Sequence, residues 1–206
     1  MNQAISATAE IEPAESPLIP GGSGKLGMWI FLVGDAMGFG CLLAAYGALR
    51  FYSDNWPKPM DVLGIQLTAV MTFLLICSSL TMVKALAAIR MGRPKAMRNF
   101  LLLTILGGTL FLGIQAYEWT HLIEIKHITL TGNPYGSVFF GTTFYLLTGF
   151  HGAHVTSGVI YLTYILIQGL RGKFSPARHG PVEIVGLYWH FVDLVWILIF
   201  TFVYLL

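Results

Sequence analysis

Six side chains able to do chemistry sit in stretches otherwise fit for lipid: Asp35, Glu118, His151, His154, His190 and Asp193. His190 and Asp193 fall in Gly186-Leu-Tyr-Trp-His-Phe-Val-Asp-Leu-Val-Trp196, inside an apolar run from Ile184 to Leu206. Their spacing puts them on one helical face. Glu183 and Gly186 continue that stripe toward the start of the run. An Asp in a spanning helix costs on the order of 2.5–3.5 kcal/mol on insertion scales, so such groups turn toward protein or a water-filled cavity. The polar seam of this chain is where a function is expected.

Three kinds of chemistry fit these residues. Glu118-Trp-Thr-His121 has the Glu-x-x-His spacing of di-iron carboxylate bundles, but such a site needs the motif twice and two more glutamates. The chain has one copy, and its first apolar run offers only Asp35. His151-Gly-Ala-His154 and His190 have the side chains to ligate a haem between helices, although glycines beside them favour close helix contact instead. Asp35, in Gly34-Asp-Ala-Met-Gly38, would be desolvated if unpaired and could then hold or relay a proton. The plainer alternative is a packed bundle in which these histidines hydrogen-bond to Asp, Glu or lipid headgroups. There is no phosphate loop, no nucleophile with a base, and no basic aromatic stripe for nucleic acid.

The elements that must position these residues are membrane helices. The chain has 206 residues, 55% hydrophobic and only 11% charged, with a mean hydropathy of +0.70; a soluble domain carries about 25% charged residues. A net charge of +2 is too small to suggest nucleic acid. Cys41 and Cys77 stand alone in apolar runs, without CxxC or paired spacing, and read as small hydrophobes. Residues 1–26 carry Glu10, Glu12, Glu15, three prolines and Gly21-Gly-Ser-Gly24. They read as a disordered acidic tail with a flexible joint, and lack the basic start and apolar core of a signal peptide.

Five apolar runs follow, each long enough to span as a helix: Gly27–Leu49, Val62–Ile89, Phe100–Trp119, Ser137–Leu170 and Ile184–Leu206. None alternates as a barrel strand would. No internal repeat supports a transporter of duplicated halves. The fold predicted is an all-α bundle of five transmembrane helices over residues 27–206. The connector Arg90–Arg98 holds four positive charges, and Arg171, Lys173 and Arg178 follow the fourth run. With Lys25 and Lys84 this side of the membrane carries nine basic residues, against Arg50, Lys58 and Lys126 on the other. The positive-inside rule then puts the N-terminus in the cytoplasm and the C-terminus outside. On this arrangement Asp35 lies roughly 12 Å into the first helix. Asp35, His151, His154, His190 and Asp193 then share one layer in the cytoplasmic half, while Glu118 ends the third helix near the outer surface.

Four ordered motifs carry a resemblance. Tyr188-Trp-His-Phe-Val-Asp193-Leu-Val-Trp196 resembles the hallmark of subunit III of the haem-copper oxidases. Phe144-Tyr-Leu-Leu-Thr-Gly-Phe-His-Gly-Ala-His154-Val is similar to that family's second signature, Gln115-Ala-Tyr-Glu-Trp119 to a third, and Gly27-Met-Trp-Ile-Phe-Leu-Val-Gly-Asp-Ala36 to a fourth. They run in order from about Gly27 to Leu206 and cover every predicted span. Longer members of the family have seven helices; five is usual in quinol-oxidase versions and in many bacterial ones. Many cytochrome c oxidase members carry Glu where Asp35 stands, whereas Asp occurs there in quinol oxidases and in a nitric-oxide-reductase-associated relative. The wording Tyr-Trp-His-Phe-Val-Asp leans toward cytochrome c oxidase, so the electron donor stays open.

The resemblance implies an accessory role in aerobic respiration. Haem and copper belong to partner subunits, and this chain is expected to hold no redox centre, metal or catalytic residue. It is expected to pack on subunit I, to meet subunit II and a small subunit IV, to bind phospholipid, and to support proton uptake and durability in turnover. The setting implied is the inner membrane of a bacterial cell. Asp35 occupies the family's buried carboxyl position, with a role in holding lipid or tuning proton uptake. Glu118, His151, His154, His190 and Asp193 are expected to stabilise the bundle or its lipids. Two readings of other classes compete: an independent proton or ion transporter, and a small b-type cytochrome with His151 or His154 opposite His190.

Overall fold

A computed structural model describes residues 22–206. Five helices in it are long and apolar enough to cross a membrane, as expected, and no strand occurs among the described residues. They are α1 (Gly22–Phe51), α3 (Ile65–Arg90), α4 (Pro94–Glu124), α5 (Val138–Leu170) and α6 (Gly180–Ile199). A single turn, α2 (Pro59–Val62), precedes α3, and a π-helical turn, Phe200–Leu205, finishes α6.

Most boundaries lie outside the apolar runs, because helices continue into their polar ends. α4 begins at Pro94 rather than Phe100, since proline suits the first helical turn, where its missing N–H has no partner to lose. The third span also runs on past Trp119 to Glu124. α1 begins at Gly22, so the joint expected at Gly21–Gly24 is helix from Gly22 onward. Two contacts hold that start: Lys25 Nζ reaches Glu183 Oε1 at 2.6 Å, and Gly24 packs beside Ile184. The remainder of the expected tail, residues 1–21, lies outside the described residues.

α3 and α5 stop by the same device. Gly92 and Gly172 take positive φ, 70° and 72°. The next residue then reaches back, Arg93 N–H to Ala88 O at 2.9 Å and Lys173 N–H to Gln168 O at 3.2 Å. This caps carbonyls a helix end leaves open, and only glycine adopts that turn without steric cost.

α3, α4, α5 and α6 form a closed ring, each packed on the next, with α6 returning to α3. α1 lies outside the ring, against α5 and α6. The consequence is uneven burial: half of the most apolar stretch of α6 is buried, against 11% of that of α1. Lys25 at the start of α1, Arg90 at the end of α3 and His179 before α6 all approach Glu183. The basic connectors therefore gather at one end of the bundle, as their charges predicted.

Candidate functional site

The six expected residues fall into separate stations, of which Asp35, His154 and Asp193 lie at similar depth. Asp35 is thirteen residues past Gly22 and Asp193 thirteen past Gly180, each about 20 Å from the basic end. His154 is the midpoint of α5, and His151 lies one turn further from that end. Asp35, His154 and Asp193 therefore share a level near mid-helix, with His190 nearer the basic end and His151 further from it. α1 starts earlier than its apolar run, and α5 crosses with its histidines at and beyond mid-helix.

The first station joins α1, α5 and α6. His154 Nε2 and Asp35 Oδ2 are 3.1 Å apart, and His154 Nδ1 meets its own helix at Phe150 O, 2.8 Å. Tyr188 OH donates to His154 O at 3.0 Å and lies 2.6 Å from Ser157 Oγ. Phe39 packs edge-on to the His154 ring. The side chains of Asp35 and His154 keep only 17% and 13% of their surface open, so the pair lies largely covered between the helices with one edge open.

The second station joins α3 and α6. Ser79 Oγ pairs with His190 Nδ1. Asp193 lies one turn on along the same face, as its spacing predicted, and is buried. Ser79 borders it too, but that hydroxyl is bonded to His190, and the Asp193 oxygens have no hydrogen-bond partner among the described residues. His151 forms a third station. It is fully buried among the rings of Phe111, Trp196 and Phe39, with neither ring nitrogen bonded. It does not reach an Asp or Glu as expected.

Glu118 stands inside α4, not at its end. It is buried within the bundle, and α4 continues about a turn and a half past the predicted end, to Glu124. Its carboxyl accepts from Thr68 Oγ1 at 3.1 Å and from Tyr204 OH at 3.0 Å. Glu118 and His121 line the wall of one cavity of about 290 Å³ with Asp61 and Lys126. Among the described residues no group of three or more His, Cys, Asp or Glu side chains converges as a metal site.

The partners of these groups went unread in the sequence. Thr68, Thr72, Ser78 and Ser79 form a hydroxyl stripe down α3. Thr72 Oγ1 accepts from Trp196 Nε1 and Ser78 Oγ from Trp189 Nε1, both at 3.0 Å. Inside a membrane, hydroxyls that meet indoles and carboxyls join helices where hydrophobic burial offers little. The available signal was the helical recurrence of Ser and Thr in an otherwise apolar run.

Known proteins match nearly the whole chain. The chain matches the family Cytochrome c oxidase subunit III over residues 5–206. It is 35% identical over 201 residues to cytochrome c oxidase subunit 3 of Bacillus subtilis (strain 168), across 97% of this chain and 95% of that one. The corresponding protein of Alkalihalophilus pseudofirmus is 33% identical, across 93% and 91%. A probable quinol oxidase subunit 3 of Staphylococcus saprophyticus is 36% identical, across 90% of each. Five apolar spans, the ordered motifs and these matches agree: the chain belongs to the cytochrome c oxidase subunit III family and is subunit III of a haem-copper oxidase.

Proposed function

We propose that this chain is the accessory subunit III of a cytochrome c oxidase in a bacterial inner membrane. It packs on subunit I, meets subunit II and a small subunit IV, binds phospholipid, and supports proton uptake and survival in turnover. The haems and copper are held by its partners. Its basic end faces the cytoplasm, as the excess of Lys and Arg there favours.

The observation that supports this reading is the Asp35–His154 pair, which joins α1 to α5 with one edge left open. It lies near the middle of two spanning helices with its side chains partly open. A polar pair at that depth is costly against hydrocarbon, so the bundle calls for a cover. A partner subunit, with phospholipid along the seam, supplies one.

Quinol as the donor is the second reading, favoured by Asp35 standing where many cytochrome c oxidase members have Glu. The test is to purify the native complex through a tag on this chain. Haem is then sought in its reduced-minus-oxidised spectrum, and oxygen uptake is measured with reduced cytochrome c and with a quinol. Uptake driven by cytochrome c is the expected result. Uptake with quinol alone would transfer the chain to a quinol oxidase. An intact preparation without haem would overturn the oxidase role.

A further inference from the structure

One hydroxyl hydrogen serves two acceptors beside a buried carboxyl. Thr68 Oγ1 lies 3.1 Å from Glu118 Oε1 and 3.1 Å from Gly64 O. A hydroxyl has a single hydrogen and two lone pairs, so it donates to one of these at a time. When Glu118 is a carboxylate, Thr68 donates to Oε1. When Oε1 carries a proton, Thr68 turns its hydrogen to Gly64 O and accepts from Glu118 instead. Tyr204 OH donates to Oε2 at 3.0 Å in both states, and Gly64 O keeps the Thr68 N–H at 3.0 Å in both. Neither state leaves a buried polar group orphaned, the condition that buried groups must meet.

The carboxyl also has a path to water. The cavity of about 290 Å³ at its side is bordered by Asp61, Gly64, Glu118, His121 and Lys126. Its polar walls and size suit several waters, at roughly 30 Å³ each. Asp61 is exposed, and His121 and Lys126 are half-buried, so titratable side chains border the cavity from the carboxyl to the surface. Glu118 lies six residues before Glu124, about 9 Å below the end of α4. The aqueous phase it approaches is the one opposite the basic connectors. Tyr117 borders the cavity from α4. On the other elements the groups that face Glu118 are its donor Tyr204 and, from α5, Tyr145, whose hydroxyl is already given to Ile128 O at 2.8 Å.

We propose that Glu118 is a proton-binding site that exchanges through this cavity with the aqueous phase at that end of the bundle. Thr68 is its positioning residue, the hydroxyl whose rotation admits the proton. On loading, a proton leaves hydronium in the cavity and bonds to Glu118 Oε1. On discharge it returns to water and leaves its electron pair on the carboxylate. No other bond changes, and no oxidant or reductant takes part. The site is separate from the Asp35–His154 pair, and it goes beyond the accessory role because it holds whichever electron donor the complex uses.

The test is pH-difference infrared spectroscopy of the tagged native complex in H2O and in D2O. A neutral carboxyl has a C=O stretch that a carboxylate lacks. The expected result is a neutral-carboxyl band that grows as the pH falls, shifts on transfer to D2O and is missing in Glu118→Gln. The Gln amide still accepts from Thr68 and Tyr204, so that variant should keep subunit III in the complex, as subunit stoichiometry reports. A second pair of variants assigns the band without touching the carboxyl. Thr68→Ser keeps the hydroxyl and should keep the band in place. Thr68→Val removes it, and the band should move to higher frequency because the acid loses its acceptor. Matching spectra from the unaltered complex and Glu118→Gln would overturn the proposal. A Glu118 band insensitive to pH or to D2O, or one unmoved in Thr68→Val, would overturn it as well.

Discussion

Asp35 Oδ2 and His154 Nε2 meet at 3.1 Å across the seam of α1 and α5. Because the two groups act as one unit, their substitutions should not add. Asp35→Asn and His154→Gln should each leave the complex assembled, and each should speed loss of activity during turnover about fivefold, the factor for roughly 1 kcal/mol. The double variant should decay no faster than either single one. The measurement is the decay of oxygen uptake by purified oxidase. A double variant that decays as the product of the two single effects would show that the residues work separately.

What could be read in advance divides along a physical line. Span number and type were legible, because hydrophobic run length is a property of the chain itself. The side-by-side placing of His190 and Asp193 was legible for the same reason, through helical period. Glu118 stands inside α4 and not at its end, because apolarity marks where lipid begins and ends, not where the helix does. Its partner Tyr204 lies 86 residues away, and no local pattern could join the two. Hydrogen bonding to Asp, Glu or a headgroup is the expectation for His151; aromatic packing from three other helices puts Phe39, Phe111 and Trp196 around it instead.

Glu118 provides the second prediction. Tyr204 OH and Thr68 Oγ1 are its donors in a buried site. Tyr204→Phe leaves one carboxyl oxygen without a partner, and such a loss costs about 1–3 kcal/mol. The variant should lose subunit III more readily in detergent and melt lower. Replacing the carboxyl as well, in Tyr204→Phe with Glu118→Leu, removes the orphaned group and should recover part of the loss. Retention of the subunit on a tagged subunit I gives the readout. A double variant less stable than Tyr204→Phe would contradict this account.

A third prediction concerns the attachment of α1. Glu183 receives Lys25 at 2.6 Å and Arg90 at 3.1 Å, and hydrogen bonding and charge from these two hold its carboxylate in place. All three side chains are partly exposed, so the cluster contributes about 0–1 kcal/mol and is weakened by salt. Global stability should therefore barely change in Glu183→Gln. The local effect should be visible as faster hydrogen exchange in the first turns of α1, and high salt should produce much the same increase in the unaltered protein. Exchange unaffected by both treatments would mean that apolar contacts alone seat this helix.

The last prediction tests the centre of the ring. The Trp189 indole is fully buried and lies in a slot formed by glycines of two neighbouring helices. A methyl on Gly108 would fall 2.5 Å from the indole, and one on Gly158 would fall 2.9 Å from it. The indole cannot retreat without losing its bond to Ser78 Oγ, so either Gly→Ala change overpacks the core at about 1–3 kcal/mol. Gly158→Ala should lower the melting temperature of the purified complex or release subunit III. Trp189→Phe in the same chain should relieve the clash, although it gives up the Ser78 bond. Gly40→Ala is the control: it is exposed on α1 with nothing within 4 Å of the added carbon, and its helix propensity improves by about 1 kcal/mol. If Gly158→Ala melted like Gly40→Ala, the slot would not be what holds α4, α5 and α6 in register.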